Sequence, residues 1–389
     1  MTSAVALTHQ FLSQWDPATS RMASLQARFD AGLAWVSRPV GLGGLGIAPS
    51  EQRAVDAEFA AAGFPDNDPL RNGIGLGMAA PTILAVGTDE QKQRLLRPLW
   101  TGEEIWCQLF SEPGAGSDLA NVATRAVRTD GGWIVNGQKV WTSSAHNAVW
   151  ALLLARTDPD LPKHEGLTYF ACDMRQPGVE VRPLRQITGE AEFNEVFLTD
   201  VFIPDSDRLG DVGQGWLVAM TTLASERVAI GNSEAEESDS MVDVVERTWQ
   251  SAPKQTRDLT RDRFLRLWVE ARVADVAAAR LKQELSSGRP GAEGSAMKVT
   301  FARLSQELSG FEIEVLGADG LGYGDWEMVR PEVVVFTGRD AGYRYLRAKG
   351  NSIEGGTTEI LLNILAEKVL GLPPEHRPDK GMPWKDSPR

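Results

Sequence analysis

An α+β protein of several domains, helical at both ends and β in the middle, is the fold class this sequence predicts. Three observations predict it. Apolar residues recur at helical spacing from about Pro49 to Thr101 and again after Gly215. Between about Glu104 and Arg208 the pattern changes to short alternating or continuous apolar runs broken by DGG, PDLP and QPG. No GxGxxG opens a helix after a strand, so an alternating βαβ arrangement is disfavoured. The expected partition is a shortened N-terminal helical domain over 1–103, a middle antiparallel β domain over 104–212, a C-terminal helical bundle over 213–372 and a polar tail over 373–389.

The first helical tract holds EQRAVDAEFAAAG, LRNGIGLGMAAPTILAVG and TDEQKQRLLRPLWTG, the last with Thr88 and Asp89 placed as an N-cap before the acidic first turn. The segment from Arg38 to Gly46, RPVGLGGLG, predicts a compact loop. The strands are expected in WIVNGQKVW, AVWALLLAR, LTYFACDM, VEVRPL and NEVFLTDVFIP. Helical spacing returns in WLVAMTTLASERVAIG, RDRFLRLWVEARVADVAAARLKQEL, SAMKVTFARLSQELSGFEIEVLG and EILLNILAEKVLGL, which ends at Gly371 and Pro373. Pro, Lys and Asp are frequent from Pro373 to Arg389, so the tail is expected to be loosely ordered.

Composition narrows the function classes. With 389 residues, 42% of them hydrophobic, the chain can bury a sizeable core. A formal net charge of -13 argues against nucleic acid or an anionic membrane as partner, because phosphate binding needs concentrated Lys and Arg. Cys107, Cys172 and four scattered histidines supply neither a disulfide framework nor a metal site, and a cytoplasmic setting is expected. No apolar run reaches membrane-spanning length and the first residues carry no export signal.

The chemistry concentrates in a few segments. In FSEPGAGSDL, from Phe110 to Leu119, Gly114 and Gly116 let the backbone approach a bulky ligand, and the hydroxyls of Ser111 and Ser117 stand beside N–H groups able to face phosphate. Composition alone leaves an ordinary hairpin loop equally open. The stretch IEGGTTEI serves equally as a helix C-cap followed by a Thr N-cap and as a close-approach turn.

Trp106-Cys107-Gln108-Leu109 running into FSEPGAGSDLA, followed at the right distance by VNGQKVWTSS, closely resembles the two signature blocks of the acyl-CoA dehydrogenase family. The resemblance extends over nearly the whole chain, through PTILAVGTDEQKQRLLRPLWTGE, NEVFLTDVFIP and GNSIEGGTTEILLNILAEKVLGLP. It implies an N-terminal helical domain, a middle β domain and a C-terminal four-helix bundle, with FAD between the last two. It implies that Gln108, Phe110 and Ser111 line the polar edge of the flavin. Gly116 and Ser117 then approach its pyrophosphate, with Ser117 also facing the thioester ligand. Trp141 stacks on the isoalloxazine, Thr142 and Ser143 complete that wall, and the Ser143 hydroxyl reaches N5. Thr357 and Glu359 touch the cofactor, and the backbone N–H at Gly355 binds the thioester carbonyl.

The family's reaction is α,β-dehydrogenation of an acyl-CoA, which needs a carboxylate base in a water-poor site and donors onto the thioester carbonyl. Many members place the base immediately before the Gly-Thr of the C-terminal motif, but that position here is Gly355, and Glu354 is one residue early. Other members place it on a bundle helix, and LASERVAIG matches that second position with Glu226, beside Arg227 as the ligand-contacting arginine. Glu226 is therefore the expected base.

Two departures bear on assembly. The Arg-x-x-Phe-Gly motif that reaches a neighbouring subunit's FAD is missing, and Glu314-Val315-Leu316-Gly317-Ala318 replaces Gln-Ile-x-Gly-Gly. Both resemble the actinobacterial subgroup that degrades sterol side chains and other bulky acyl-CoAs, some as α2β2 heterotetramers. The resemblance implies an acyl-CoA substrate, electron-transfer flavoprotein as acceptor and a homo- or hetero-oligomer built as a dimer of dimers. The alternatives are an acyl-CoA oxidase or flavin monooxygenase on the same scaffold, or a non-catalytic partner subunit.

Overall fold

The computed structural model describes residues 3–232, 240–286, 293–332, 337 and 339–387, the side chains of 226–232, 282, 284–286 and 293 excepted. The chain divides into two compact units, one of 1–182, 194–223 and 381–389 and the other of 183–193 and 224–380.

The first unit opens with helices α1 (Ala4–Leu12), α2 (Arg21–Asp30), α3 (Gln52–Ala61), α4 (Ala80–Val86) and α5 (Asp89–Thr101). Neither α1 nor α2 lies in the tract of helical spacing that begins near Pro49, yet each starts on a serine, Ser3 and Ser20, whose side chain accepts a hydrogen bond from the first turn. The Arg38–Gly46 loop is as compact as expected. A Cβ on Gly44 would sit 2.0 Å from the Arg38 carbonyl oxygen, so only glycine fits there. The cap predicted for α5 is present as a full capping box between Thr88 and Gln91, and the helix ends on Gly102 at φ 73. Its Leu95, Leu96, Leu99 and Trp100 enter the core.

A seven-stranded sheet comes after α5: β1 (Trp106–Leu109), β2 (Arg125–Thr129), β3 (Gly132–Ser143), β4 (Trp150–Arg156), β5 (Leu167–Asp173), β6 (Val179–Pro183) and β7 (Phe193–Pro204). The neighbours run β1-β4-β2-β3-β7-β6, and β5 pairs with β4. Pairing is antiparallel in β2–β3 and β4–β5, but β1 runs parallel to β4 with Gln108 opposite Leu152. That refines the expected antiparallel domain. Every residue of β4 is buried, which is why WALLLAR reads as a continuous apolar run rather than an alternation.

Helix α6 (Gly215–Asn232) comes next, and the second unit continues with α7 (Met241–Ser251), α8 (Lys254–Ser286), α9 (Glu293–Leu316), α10 (Ala341–Ala348) and α11 (Thr358–Lys368). Within it α9 packs against α7, α8, α10 and α11. Phe264 and Phe311 are buried there, and Trp249 stacks on Phe264 with ring centroids 4.3 Å apart.

The tail is not loosely ordered throughout. Residues 381–387 rejoin the first unit, where Trp384 is 8% exposed.

Candidate functional site

Two polar constellations stand out, one in each unit. In the first, β1 runs into the loop that begins at Phe110, and the Ser111 carbonyl accepts a 2.9 Å hydrogen bond from Val140 N. That bond sets the loop beside the end of β3, the strand that carries Trp141, Thr142 and Ser143. Phe110 is buried, its ring edge-on to Tyr169 at 5.8 Å. Gln108 and Ser111 are half-buried, and Gly116 and Ser117 are exposed. Glu112 and Ala115 exchange backbone hydrogen bonds of 3.0 Å each, folding Pro113-Gly114 into a tight turn. A Cβ on Gly114 or Gly116 would meet nothing within 4 Å, so both glycines border open space.

Trp141 has φ 61, a left-handed conformation uncommon for a bulky residue, and is 58% exposed. The turn breaks the alternation of β3. Thr142 is directed inward, 1% exposed, with a buried hydroxyl that has no hydrogen-bond partner among the described residues. An indole turned outward at a backbone cost of about 1–3 kcal/mol, beside an orphaned hydroxyl and open glycines, suits a flat cofactor with a polar edge. FAD fits that description.

The motif residues alone do not explain what holds this wall. Lys139, with 0% of its side chain exposed, donates to the carbonyls of Phe110 and Leu154, each at 2.9 Å, and to Glu112 Oε1 at 2.8 Å. Glu112 also accepts from the N–H groups of Ala123 at 2.7 Å and Thr124 at 2.9 Å. Burial pushes the Glu112 carboxyl up, but the Lys139 ammonium and these donors outweigh it and hold it below the ordinary carboxylate range. Sequence reasoning missed this pair, although both residues lie inside the signature blocks and an interior charge needs a partner.

In the second unit, Gly355 at φ 62 and Gly356 at φ 94 form a left-handed turn before α11. Thr357 caps that helix by accepting from Ile360 N at 3.3 Å, and Glu359 is exposed in its first turn. Lys298 of α9 donates to the Gly356 carbonyl at 2.7 Å. Glu354 is engaged at both oxygens: Arg347 reaches Oε2 at 2.9 Å and Oε1 at 3.2 Å, and Asn351 reaches Oε1 at 2.8 Å. Arg347 also bonds Glu192 at 3.3 Å. Burial raises the Glu192 pKa. Lys298, Arg347 and Glu192 were likewise missed, because they meet the turn only through folding. Glu226 and Arg227 fall on α6, and their side chains lie outside the described residues.

Among the described residues no group of three or more His, Cys, Asp or Glu is placed to hold a metal ion, and no helix is long and apolar enough to cross a membrane.

Comparison with known proteins shows the family. The N-terminal, middle and C-terminal domains of the acyl-CoA dehydrogenases match residues 8–103, 107–201 and 213–370. Acyl-CoA dehydrogenase FadE34 of Mycobacterium tuberculosis is 45% identical over 85% of this chain, which spans only 43% of that relative's length. Acyl-CoA dehydrogenase IpdE1 of the same organism is 38% identical over 89% of this chain and 86% of its own. Among solved structures, the ChsE4–ChsE5 complex of that organism superposes with a TM-score of 0.68 at 26% identity, covering 96% of this chain and 97% of the other. The chain belongs to the acyl-CoA dehydrogenase family of FAD-dependent flavoprotein oxidoreductases.

Proposed function

We propose that this protein catalyses α,β-dehydrogenation of an acyl-CoA thioester to the trans-2-enoyl-CoA, passing electrons to an electron-transfer flavoprotein. FAD, when bound, supplies the hydride acceptor. Gln108, Phe110, Ser111, Gly116, Ser117, Trp141, Thr142 and Ser143 hold it, with Thr357 and Glu359 as further contacts. Ser117, Arg227 and Gly355 orient the thioester. Glu226 removes the α proton, and the Gly355 N–H steadies the negative charge that develops on the carbonyl oxygen.

The observation that carries the choice of base is the occupation of Glu354. Both of its carboxylate oxygens are engaged, by Arg347 and Asn351, which fixes the side chain in a salt-bridged position within the turn. Glu354 is then a structural anchor of the Gly355–Gly356 turn. Anaerobic mixing with a panel of acyl-CoAs tests the reading by flavin bleaching. Glu226→Gln is expected to keep FAD and lose bleaching, while Glu354→Gln keeps a substantial rate. The reverse pattern would sink the assignment.

A bulky or ring-bearing acyl group is the proposed substrate class, supported by the two motif departures. Equal turnover of short straight-chain and sterol-derived esters would remove that support. The same departures, with the two-chain ChsE4–ChsE5 relative, favour an oligomer with either itself or a related chain. Purified alone, the chain is expected to carry FAD if it completes its own site, whereas a colourless protein would point to an obligate unlike partner. Its place of action is proposed to be the cytoplasm.

A further inference from the structure

We propose that the C-terminal strap around Trp384 is a positioning element for the loop after Gly116, and that it sets how tightly the protein retains FAD, a role that rests on the flavin reading of the site. The strap is tied by main chain to the segment before β5: Trp384 N donates to the Leu161 carbonyl at 2.8 Å, Lys385 N to the Pro159 carbonyl at 3.1 Å, and Pro383 bridges Pro162. Lys385 adds an ion pair to Asp160 at 2.5 Å. The Trp384 indole then reaches the cofactor loop itself, donating from Nε1 to Asn121 Oδ1 at 2.8 Å.

Beneath the indole lies Arg156, its guanidinium 4.8 Å from the ring centroid and 1% exposed overall. Arg156 donates to the carbonyls of Ala120 at 2.6 Å, Val122 at 3.4 Å and Lys163 at 2.9 Å. Lys163 in turn pairs with Asp118 at 2.9 Å. Residues 118 to 122 are therefore fastened from behind by one connected set. On the other side Gly116 and Ser117 are exposed, with open space at Gly116. The order of these two residues must come from their chain neighbours, and Trp384 closes the set that supplies it. A loop ordered in advance binds its ligand without the entropy cost of ordering it on contact.

The test is FAD retention by the full chain, measured as the dissociation constant for reconstituting apoprotein, beside the melting temperature of the apoprotein. Trp384→Ala is expected to weaken FAD binding about tenfold, through loss of one hydrogen bond and the ring over Arg156. Trp384→Phe keeps the ring and loses only the bond to Asn121, so about a threefold loss is expected; it decides the matter if Trp384→Ala does not fold. Asn121→Ala should match Trp384→Phe, and the double variant should be no worse than either. Variants that bind FAD within about twofold of wild type overturn the strap alone, even if their melting temperature falls. If the wild-type chain alone has no affinity for FAD, the same comparison is made in its complex with a related chain, and no affinity there overturns the flavin reading and the strap with it.

Discussion

Lys139 shows how one buried charge can organise a ligand wall. Its ammonium spans Phe110, Glu112 and Leu154, so it joins the cofactor loop to β3 and β4. Replacing it with Met takes the cationic partner from the buried Glu112 and leaves it only the N–H groups of Ala123 and Thr124. Loss of one partner from a buried pair costs about 3–5 kcal/mol, and a clear fall in melting temperature with loss of FAD is expected. The pH dependence has a definite sign. Glu112 has a folded pKa below its ordinary value of 4.5, so its contribution is present above that value and is lost as pH falls through the folded pKa. Wild-type protein is therefore expected to lose stability in acid below the ordinary carboxylate range, and Glu112→Gln should flatten that limb of a melting-temperature profile. Trp141 makes the contrasting prediction. With the ring 58% exposed, Trp141→Ala should leave apoprotein stability within about 1 kcal/mol of wild type yet weaken FAD retention severalfold, read from cofactor release.

At the scale of elements, the Gly355–Gly356 turn is pinned at Glu354 by Arg347 and at Gly356 by Lys298. Its left-handed backbone makes Gly356→Ala costly by about 1–2 kcal/mol, and weaker thioester binding should accompany the drop in melting temperature. Unchanged affinity for a non-reacting thioester analogue would show that the turn's shape is unimportant. Elements with strong local signals were legible in the sequence: α5 through Thr88, α11 through Thr357, and β4 through its apolar run. Those defined by distant partners were not. Helix α10 is eight residues long, and its Arg344 and Arg347 are accounted for only once Glu312, Glu192 and Glu354 are folded against them. Trp384 likewise stands among polar residues, and distant partners explain its burial: Asn121, 263 positions earlier, and Arg156 beneath the ring. The residues proposed to form the cofactor wall are local in the chain, so the sequence brings them to notice; the groups that brace them are distant and do not stand out.

For the whole molecule, the proposed association has a visible candidate surface on α8. Leu265, Val269, Val273 and Val276 follow one another at spacings of about four, four and three residues, which places them on one helical face. They are 43%, 53%, 62% and 71% exposed. Such a stripe is costly to leave in water, at roughly 25 cal/mol for each Å² of apolar area. The net charge of -13 opposes contact between like copies. Hydrophobic burial must then outweigh a long-range repulsion that salt screens, since the Debye length falls from about 10 Å at 0.1 M to about 3 Å at 1 M. The oligomer is therefore expected to tighten as salt rises, the opposite of an assembly held by surface ion pairs. Val269→Asp with Val273→Asp puts two more negative charges on the stripe and should shift the chain to smaller species in analytical ultracentrifugation, with the helical signal retained. A wild-type chain that sediments as a monomer at all salt concentrations, alone and with a related chain, would show that the stripe is not an interface.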